Sequence, residues 1–321
     1  MREVDRPSPP SARPSAENAG KFGPASRPAA TLAVPPPRGD TATLLVSCPD
    51  RRGLVAALAQ LLAGHGANIL SADQHRDSQA GQFFQRISFE LKELLTDRGT
   101  LERALNEVAG RFGMSLSLFY DQHVTRMAVF VSQYDHCLYD LLWRQRNGEL
   151  RCEIPLIISN RADLAHVAEQ FEIPFHVFEI DAQRKREQEE REIELLDAHG
   201  VELVVLARYM QVLSPDFVSR YHSRIINIHH SFLPAFVGGK PYHQAAERGV
   251  KLIGATAHYV TADLDEGPII EQDVIRSTHR DSVQDLIRKG RDVERMVLVR
   301  AVRWHLDHRV LVHENRTVVF D

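Results

Sequence analysis

Residues 225–234 read Ile225-Ile226-Asn227-Ile228-His229-His230-Ser231-Phe232-Leu233-Pro234. A short apolar run that ends in polar residues has the form of a buried strand whose last residues emerge at a sheet edge. Asn227 and His229 are two apart, so an extended chain projects both to the same side. In open α/β sheets, ligands bind beyond the carboxyl ends of the strands. An amide donor and an imidazole placed there can both face one carbonyl oxygen, as an oxyanion-stabilising site requires.

Outward from this strand, apolar runs alternate with helical spacings. Strands are predicted at 127–132, 156–159, 175–178, 203–206 and 225–228, with helices at 135–146, 163–171 and 182–199 between them. This alternation predicts a mainly parallel sheet with helices on its faces. Further strands are expected at 251–259 and 269–275, a long helix at 282–306, and a closing hairpin around Glu314-Asn315. The 182–199 helix is so charged that most of its surface is expected in solvent.

Residues 41–121 carry a second pattern. Strands are expected at 43–48, 68–75, 83–91 and 114–120, with helices at 53–65 and 100–112. On the third strand Phe83, Gln85, Ile87, Phe89 and Leu91 alternate onto one face, as on a half-buried strand. The order βαββαβ is that of a ferredoxin-like unit. Residues 1–40 hold nine prolines among Ser, Ala and Arg, and predict a disordered tail. Glu3, Asp5, Glu17 and the prolines argue against a transit peptide there. The expected division is therefore a tail at 1–40, a small unit at 41–121 and a larger one at 122–321.

Bulk properties narrow the function. The 321 residues suffice for two domains, with 43% apolar and 26% charged residues and a net charge of -4. A weakly acidic chain without a basic stripe gives no electrostatic ground for binding nucleic acid. No apolar run approaches the ~20 residues of a membrane span. Three cysteines without a C-x-x-C favour a reducing, cytoplasmic setting over a disulfide scaffold or a cysteine zinc site. His229 and His230 are adjacent and H-E-x-x-H is absent, so no metal is expected. Ser231 lacks the elbow motif of a serine hydrolase.

A second chemical stretch is Gly254-Ala255-Thr256-Ala257-His258-Tyr259, followed by Asp263-Leu264-Asp265-Glu266-Gly267-Pro268. Glycine and proline mark a loop that carries Asp265. An aspartate near a histidine can orient it, raise its pKa or act as a base.

Asn227-x-His229, Leu233-Pro234, Gly254…His258 and Asp265-x-Gly267-x-Ile269-Ile270 together resemble the folate-dependent formyltransferases, over roughly residues 126–310. The resemblance implies a Rossmann-like formyltransferase-type unit and catalytic roles for Asn227, His229 and Asp265. It also implies a folate site. Arg208, Met210, Gln211, Val212 and Leu213 would contribute through the loop, with the backbone from Met210 to Leu213 hydrogen-bonding the pterin. Thr261 and Asp263 would cover its other edge. His258 either lines the site or packs beneath it. His230, Lys240 and His243 are possible cleft residues.

Two departures from the transferase pattern matter. Where the family has a glycine-rich phosphate loop, this chain has Ser132-Gln133-Tyr134-Asp135-His136-Cys137, which offers no glycine and a repelling Asp135. Residues 43–121 resemble the ACT domain, whose strand-to-helix turn matches Cys48 to Leu54 and whose second-strand entry matches Gly66 to Ile69. An ACT unit ahead of a formyltransferase-like one resembles the formyltetrahydrofolate deformylase family. That family resemblance implies hydrolysis of 10-formyltetrahydrofolate to formate and tetrahydrofolate, with water as acceptor and no cofactor beyond the folate substrate. It implies a role in balancing one-carbon pools and supplying formate for purine synthesis. It also implies a homo-oligomer, dimer or tetramer, and an amino-acid effector such as glycine or methionine near Asp50, Gly53, Leu54 and Asn68. The other readings are formyl transfer to an amine, or a non-catalytic amino-acid-binding regulator.

Overall fold

The computed structural model describes residues 39–179, 183–234 and 241–321. The expected tail at 1–40 lies outside them up to residue 38. The N-terminal part folds as β1 (Thr41–Pro49), α1 (Leu54–Gly64), β2 (Asn68–Asp77), β3 (Gln82–Glu90), α2 (Arg98–Phe112) and β4 (Ser115–Tyr120). Its sheet runs β2-β3-β1-β4, each neighbouring pair antiparallel, as expected of a ferredoxin-like unit. Leu44, Val46 and Ile87 face Leu58 and Leu62 of α1 and Leu101 and Leu105 of α2 in one core. Gly53 enters α1 at φ 90°, a left-handed turn that glycine adopts without strain.

The larger part runs β5 (Thr125–Val131), α3 (His136–Arg146), β6 (Cys152–Glu153), β7 (Ile157–Ser159), α4 (Ala165–Gln170), β8 (Phe175–Val177), α5 (Lys185–Ala198), β9 (Leu203–Leu206), α6 (Pro215–Arg220) and β10 (Ile225–His229). It continues through α7 (Pro241–Arg248), β11 (Leu252–Tyr259), β12 (Ile269–Arg276), α8 (Val283–Leu306), β13 (Val310–His313) and β14 (Arg316–Val319). The sheet order is β12-β11-β10-β9-β5-β7-β8, with the short β6 beside β5. The strands from β10 through β8 are parallel, whereas β11 and β12 run antiparallel. Buried Val204, Phe130 and Ile158 form the centre of this sheet, which Phe217 and Leu196 cover.

Helix starts follow local chemistry. Ser282 and Asp285 form a reciprocal capping box on α8. Ser214 caps α6, with Pro215 in its first turn. That Ser-Pro signal was present in the sequence, yet α6 was not expected from it.

Two expectations are corrected. First, β3 is buried on both faces. Phe84 and Arg86 point away from the α1–α2 core and lie under the C-terminal hairpin, where Leu45, Phe84 and Phe320 form a second cluster. Arg86 donates from Nε to the carbonyl of His308 at 3.0 Å and from Nη2 to that of Asp307 at 3.3 Å. Phe119 stacks on His308 with ring centres 3.8 Å apart. Second, α5 is largely solvent-facing, but two of its charged side chains are not. Glu189 and Glu192 are buried, accepting from the Ser214 amide and from Gln188 respectively. Burial raises the Glu192 carboxyl to about 7, with nearby Glu189 adding to the effect.

Candidate active site

The carboxyl ends of β5, β9 and β10 open into a cavity of about 570 Å³. Strand register assembles its polar wall. Asn227 on β10 pairs with His258 on β11 and with Leu206 on β9, and His229 pairs with Thr256. The Asn227 Nδ2 and His258 Nε2 atoms are 3.2 Å apart. The other nitrogen of His258 lies 2.9 Å from the Tyr259 carbonyl, which can only accept, so Nδ1 carries a proton. In the neutral ring Nε2 then accepts from Asn227. This turns the amide so that its second N–H is available to the cavity.

Asp265 stands at the turn between β11 and β12. Its backbone has φ 58°, a left-handed conformation that costs a non-glycine residue about 1–2 kcal/mol. Gly267, two residues on, packs so closely that a Cβ there would fall 1.8 Å from the Tyr259 carbonyl oxygen. The turn thus presses Asp265 into the cavity. Its Oδ2 lies 3.2 Å from Nδ1 of His229 and its Oδ1 3.7 Å from Nε2 of His258. Hydrogen bonding from His229 is the largest cause that holds its carboxyl well below the usual range. Since the carboxylate accepts, His229 Nδ1 donates to it. Among the described residues, His229 Nε2 is buried without a hydrogen-bond partner.

His230 stacks on His229 at 5.1 Å and tilts against Tyr242 at 6.3 Å. Burial, together with nearby Arg208 and His229, lowers its pKa to about 4, so the ring is neutral at ordinary pH. The loop behind these residues is tied down: the Leu233 amide donates to Thr256 Oγ1, and Gln272 Nε2 donates to the Leu233 carbonyl.

The comparisons with known proteins agree with this architecture. A formyl transferase family model matches residues 125–302, and an ACT domain model matches residues 42–109. A formyltetrahydrofolate deformylase from Synechocystis is 56% identical over 280 residues, covering 87% of this chain and 98% of its own. One from Bacillus subtilis is 50% identical, covering 88% and 94%. The chain belongs to the formyltetrahydrofolate deformylase family. The crystal structure of a family member from Pseudomonas syringae pv. tomato superimposes with TM-score 0.86 at 47% identity, covering 88% of this chain and 95% of that one.

Against this deformylase fold the remaining sequence expectations can be placed. Asn227, His229, His258 and Asp265 come together in the cavity, and Arg208, Gln211, Leu213, Thr261, His230 and His243 also line it. Met210 and Val212 line it too, with half-exposed side chains. The Met210 amide donates to Ser132 Oγ at 3.0 Å. The Val212 carbonyl accepts from Lys185 at 2.7 Å, which leaves it one lone pair. Asp263 is exposed and is not among the residues that line the cavity, and its carbonyl accepts from Thr261 within the turn. Lys240 lies outside the described residues. In the ACT turn, Asp50 pairs with Arg76, Leu54 is buried in the core, and exposed Asn68 donates to Glu90.

The sequence reading missed a buried charge cluster at the other end of the cavity. Glu294 of α8 accepts from Tyr242 at 2.6 Å, lies 2.8 Å from His136 Nε2 and pairs with Arg208 Nε at 3.4 Å. Burial would raise its carboxyl, but Arg208 and His136 outweigh this and bring it to about 2. Tyr242 reaches Glu294 across Gly290, where a Cβ would lie 2.0 Å from its hydroxyl oxygen. The signal was a lone glutamate between Val293 and Val297 on the apolar stripe of α8. His136, Cys137 and Glu294 have ligand atoms within 4.8 Å of one another. However, burial holds the Cys137 thiol protonated, and Arg208 already stands against Glu294 as its cation.

Proposed function

We propose that this chain hydrolyses 10-formyltetrahydrofolate to formate and tetrahydrofolate. The observation that carries the reading is His229, with Nδ1 tied to a charged Asp265 and Nε2 left buried and unpartnered in the cavity. In the mechanism, Nε2 takes a proton from water as the oxygen attacks the formyl carbon. Asp265 stays a carboxylate and stabilises the imidazolium, since its depressed pKa makes it the weaker base. Asn227, oriented by His258, donates its free N–H to the oxyanion. The imidazolium then returns the proton to the leaving nitrogen as the C–N bond breaks. The reaction needs no metal. The exposed apolar side chains of Met210, Val212 and Leu264 at the cavity rim offer a surface for the pterin.

Water is the acceptor in this reading because Tyr134 and the Arg208–Glu294 pair line the cavity beside a first-strand loop that has no glycine to cradle an acceptor's phosphate. Regulation by an amino acid such as glycine or methionine at the ACT unit belongs to the same proposal. So does homo-oligomerisation: β2 is an edge strand, almost wholly exposed along its length, and can pair with a second copy. Buried free Cys48, Cys137 and Cys152 suit a reducing cytoplasm, and no described helix is long and apolar enough to cross a membrane.

The test is formate release by purified protein with no amine present and a chelator added. We expect catalytic release that His229→Ala abolishes and Asn227→Ala lowers by roughly 10²–10³. Release only on adding an amine would make the chain a transferase.

A further inference from the structure

Arg208 presents an unresolved hydrogen-bond account. Its side chain is 9% exposed, and its Nε is buried without a hydrogen bond among the described residues. A guanidinium carries five N–H donors, and burying them unpaired is costly. Its Glu294 contact is an ion pair at 3.4 Å, and the carboxylate is already shared with Tyr242 and His136. The residue also sits at φ 65°, a conformation that glycine supplies without strain. An arginine is held there against both costs, lining the cavity one ring away from His229.

Its surroundings select an anion. The guanidinium carbon lies 5.0 Å from the Tyr134 ring centre, and that of Arg291 lies 5.6 Å from the same ring. Two guanidinium groups thus stand against one tyrosine ring, and one of them pairs with Glu294. Arg291 is exposed, so the cationic end reaches from the catalytic histidines toward solvent. Tyr134 and Tyr242 line this end of the cavity. The planar fork of arginine matches a carboxylate in two parallel hydrogen bonds.

We propose that Arg208, with Arg291 outside it, forms a subsite for a small carboxylate, which receives the formate released at His229 and passes it to solvent. The proposal rests on the deformylase reading in naming formate. Formate adds hydrogen bonds to an Arg208 that Glu294, Tyr134 and Tyr242 already position.

Turnover of the full chain is followed by appearance of tetrahydrofolate while sodium formate is added, with sodium chloride holding ionic strength constant. Formate should inhibit the wild type. Arg208→Gln should raise the half-inhibiting concentration roughly tenfold or more, since a charge-assisted bidentate pair is lost. Arg208→Lys should recover only part of this, because it restores charge without the fork. Arg291→Gln should raise it by a smaller factor. Saturation-transfer NMR of formate on substrate-free protein reads binding apart from turnover, and a circular-dichroism melt checks each fold. Turnover that formate does not slow, or slows equally in folded Arg208→Gln, overturns the subsite and leaves the deformylase reading intact. Inorganic phosphate outcompeting formate overturns the carboxylate assignment. No wild-type turnover, with formate still binding through Arg208, overturns the deformylase reading and retains a small-carboxylate site.

Discussion

Gly290→Ala sets two effects of opposite sign against each other. In an exposed helix interior, replacing glycine by alanine stabilises by about 1 kcal/mol. At position 290 the added Cβ would meet the Tyr242 hydroxyl oxygen at 2.0 Å and its Cζ at 2.3 Å. The ring is buried on α8, so it must either overpack or withdraw. Overpacking costs about 1–3 kcal/mol. Withdrawal breaks the 2.6 Å hydrogen bond to the Glu294 carboxylate, a loss of about 1.5–3 kcal/mol for a charged acceptor. Either term, less the gain in helix propensity, leaves an expected net destabilisation of up to roughly 2 kcal/mol. Urea unfolding of wild type, Gly290→Ala, Tyr242→Ala and the double variant measures it. Tyr242→Ala removes the obstacle, so adding Gly290→Ala to it should cost nothing further. If Gly290→Ala alone were as stable as wild type, the close approach of Tyr242 to α8 would not constrain the fold and the reasoning would be wrong.

Three other outcomes are expected. The Glu192 carboxyl is raised to about 7 from an ordinary 4.5, so its contribution to stability is full below about pH 4.5 and is lost as pH rises through about 7. Glu192→Gln should remove that dependence and raise stability near pH 8 by up to roughly 3 kcal/mol, read as melting temperature across the range. Gly267→Ala should displace the turn that holds Asp265 and lower turnover at least roughly 10²-fold in a protein that still folds, because small misplacements of catalytic groups are that costly. Unchanged kinetics would detach the turn from catalysis. Arg86→Ala should cost about 2–4 kcal/mol through two backbone carbonyls left without their charged donor, measured by denaturant unfolding.

The alternation of apolar runs was enough to locate most strands and helices within two or three residues, because backbone periodicity is local. Asn227 and His229 were legible for the same reason: a two-residue spacing on a strand fixes their common side. Asp265 could be read from the glycine-proline turn around it. What stayed hidden depends on tertiary pairing. Glu294 looks like a flaw in an apolar stripe until Arg208, His136 and Tyr242 arrive from three other elements. Glu189 and Glu192 read as solvated until the Ser214 amide and Gln188 are seen beside them. Nothing local announces that the Met210 amide donates to Ser132, 78 residues earlier. The second buried face of β3 was invisible because its cover lies over two hundred residues downstream.

That cover has a consequence for how the chain assembles. During synthesis β1 to β4 emerge first, with Leu45 and Phe84 bare on the side away from the helices. Their lid, Leu311, Val318 and Phe320, is made only after the whole catalytic sheet. The early unit therefore waits, sticky on one side, for a clasp delivered by the last strands. Once α8 and the hairpin arrive, Arg86 latches onto the carbonyls of Asp307 and His308. The regulatory-type unit and the catalytic unit then share a single seam, and they should melt as one body rather than as two beads on a string.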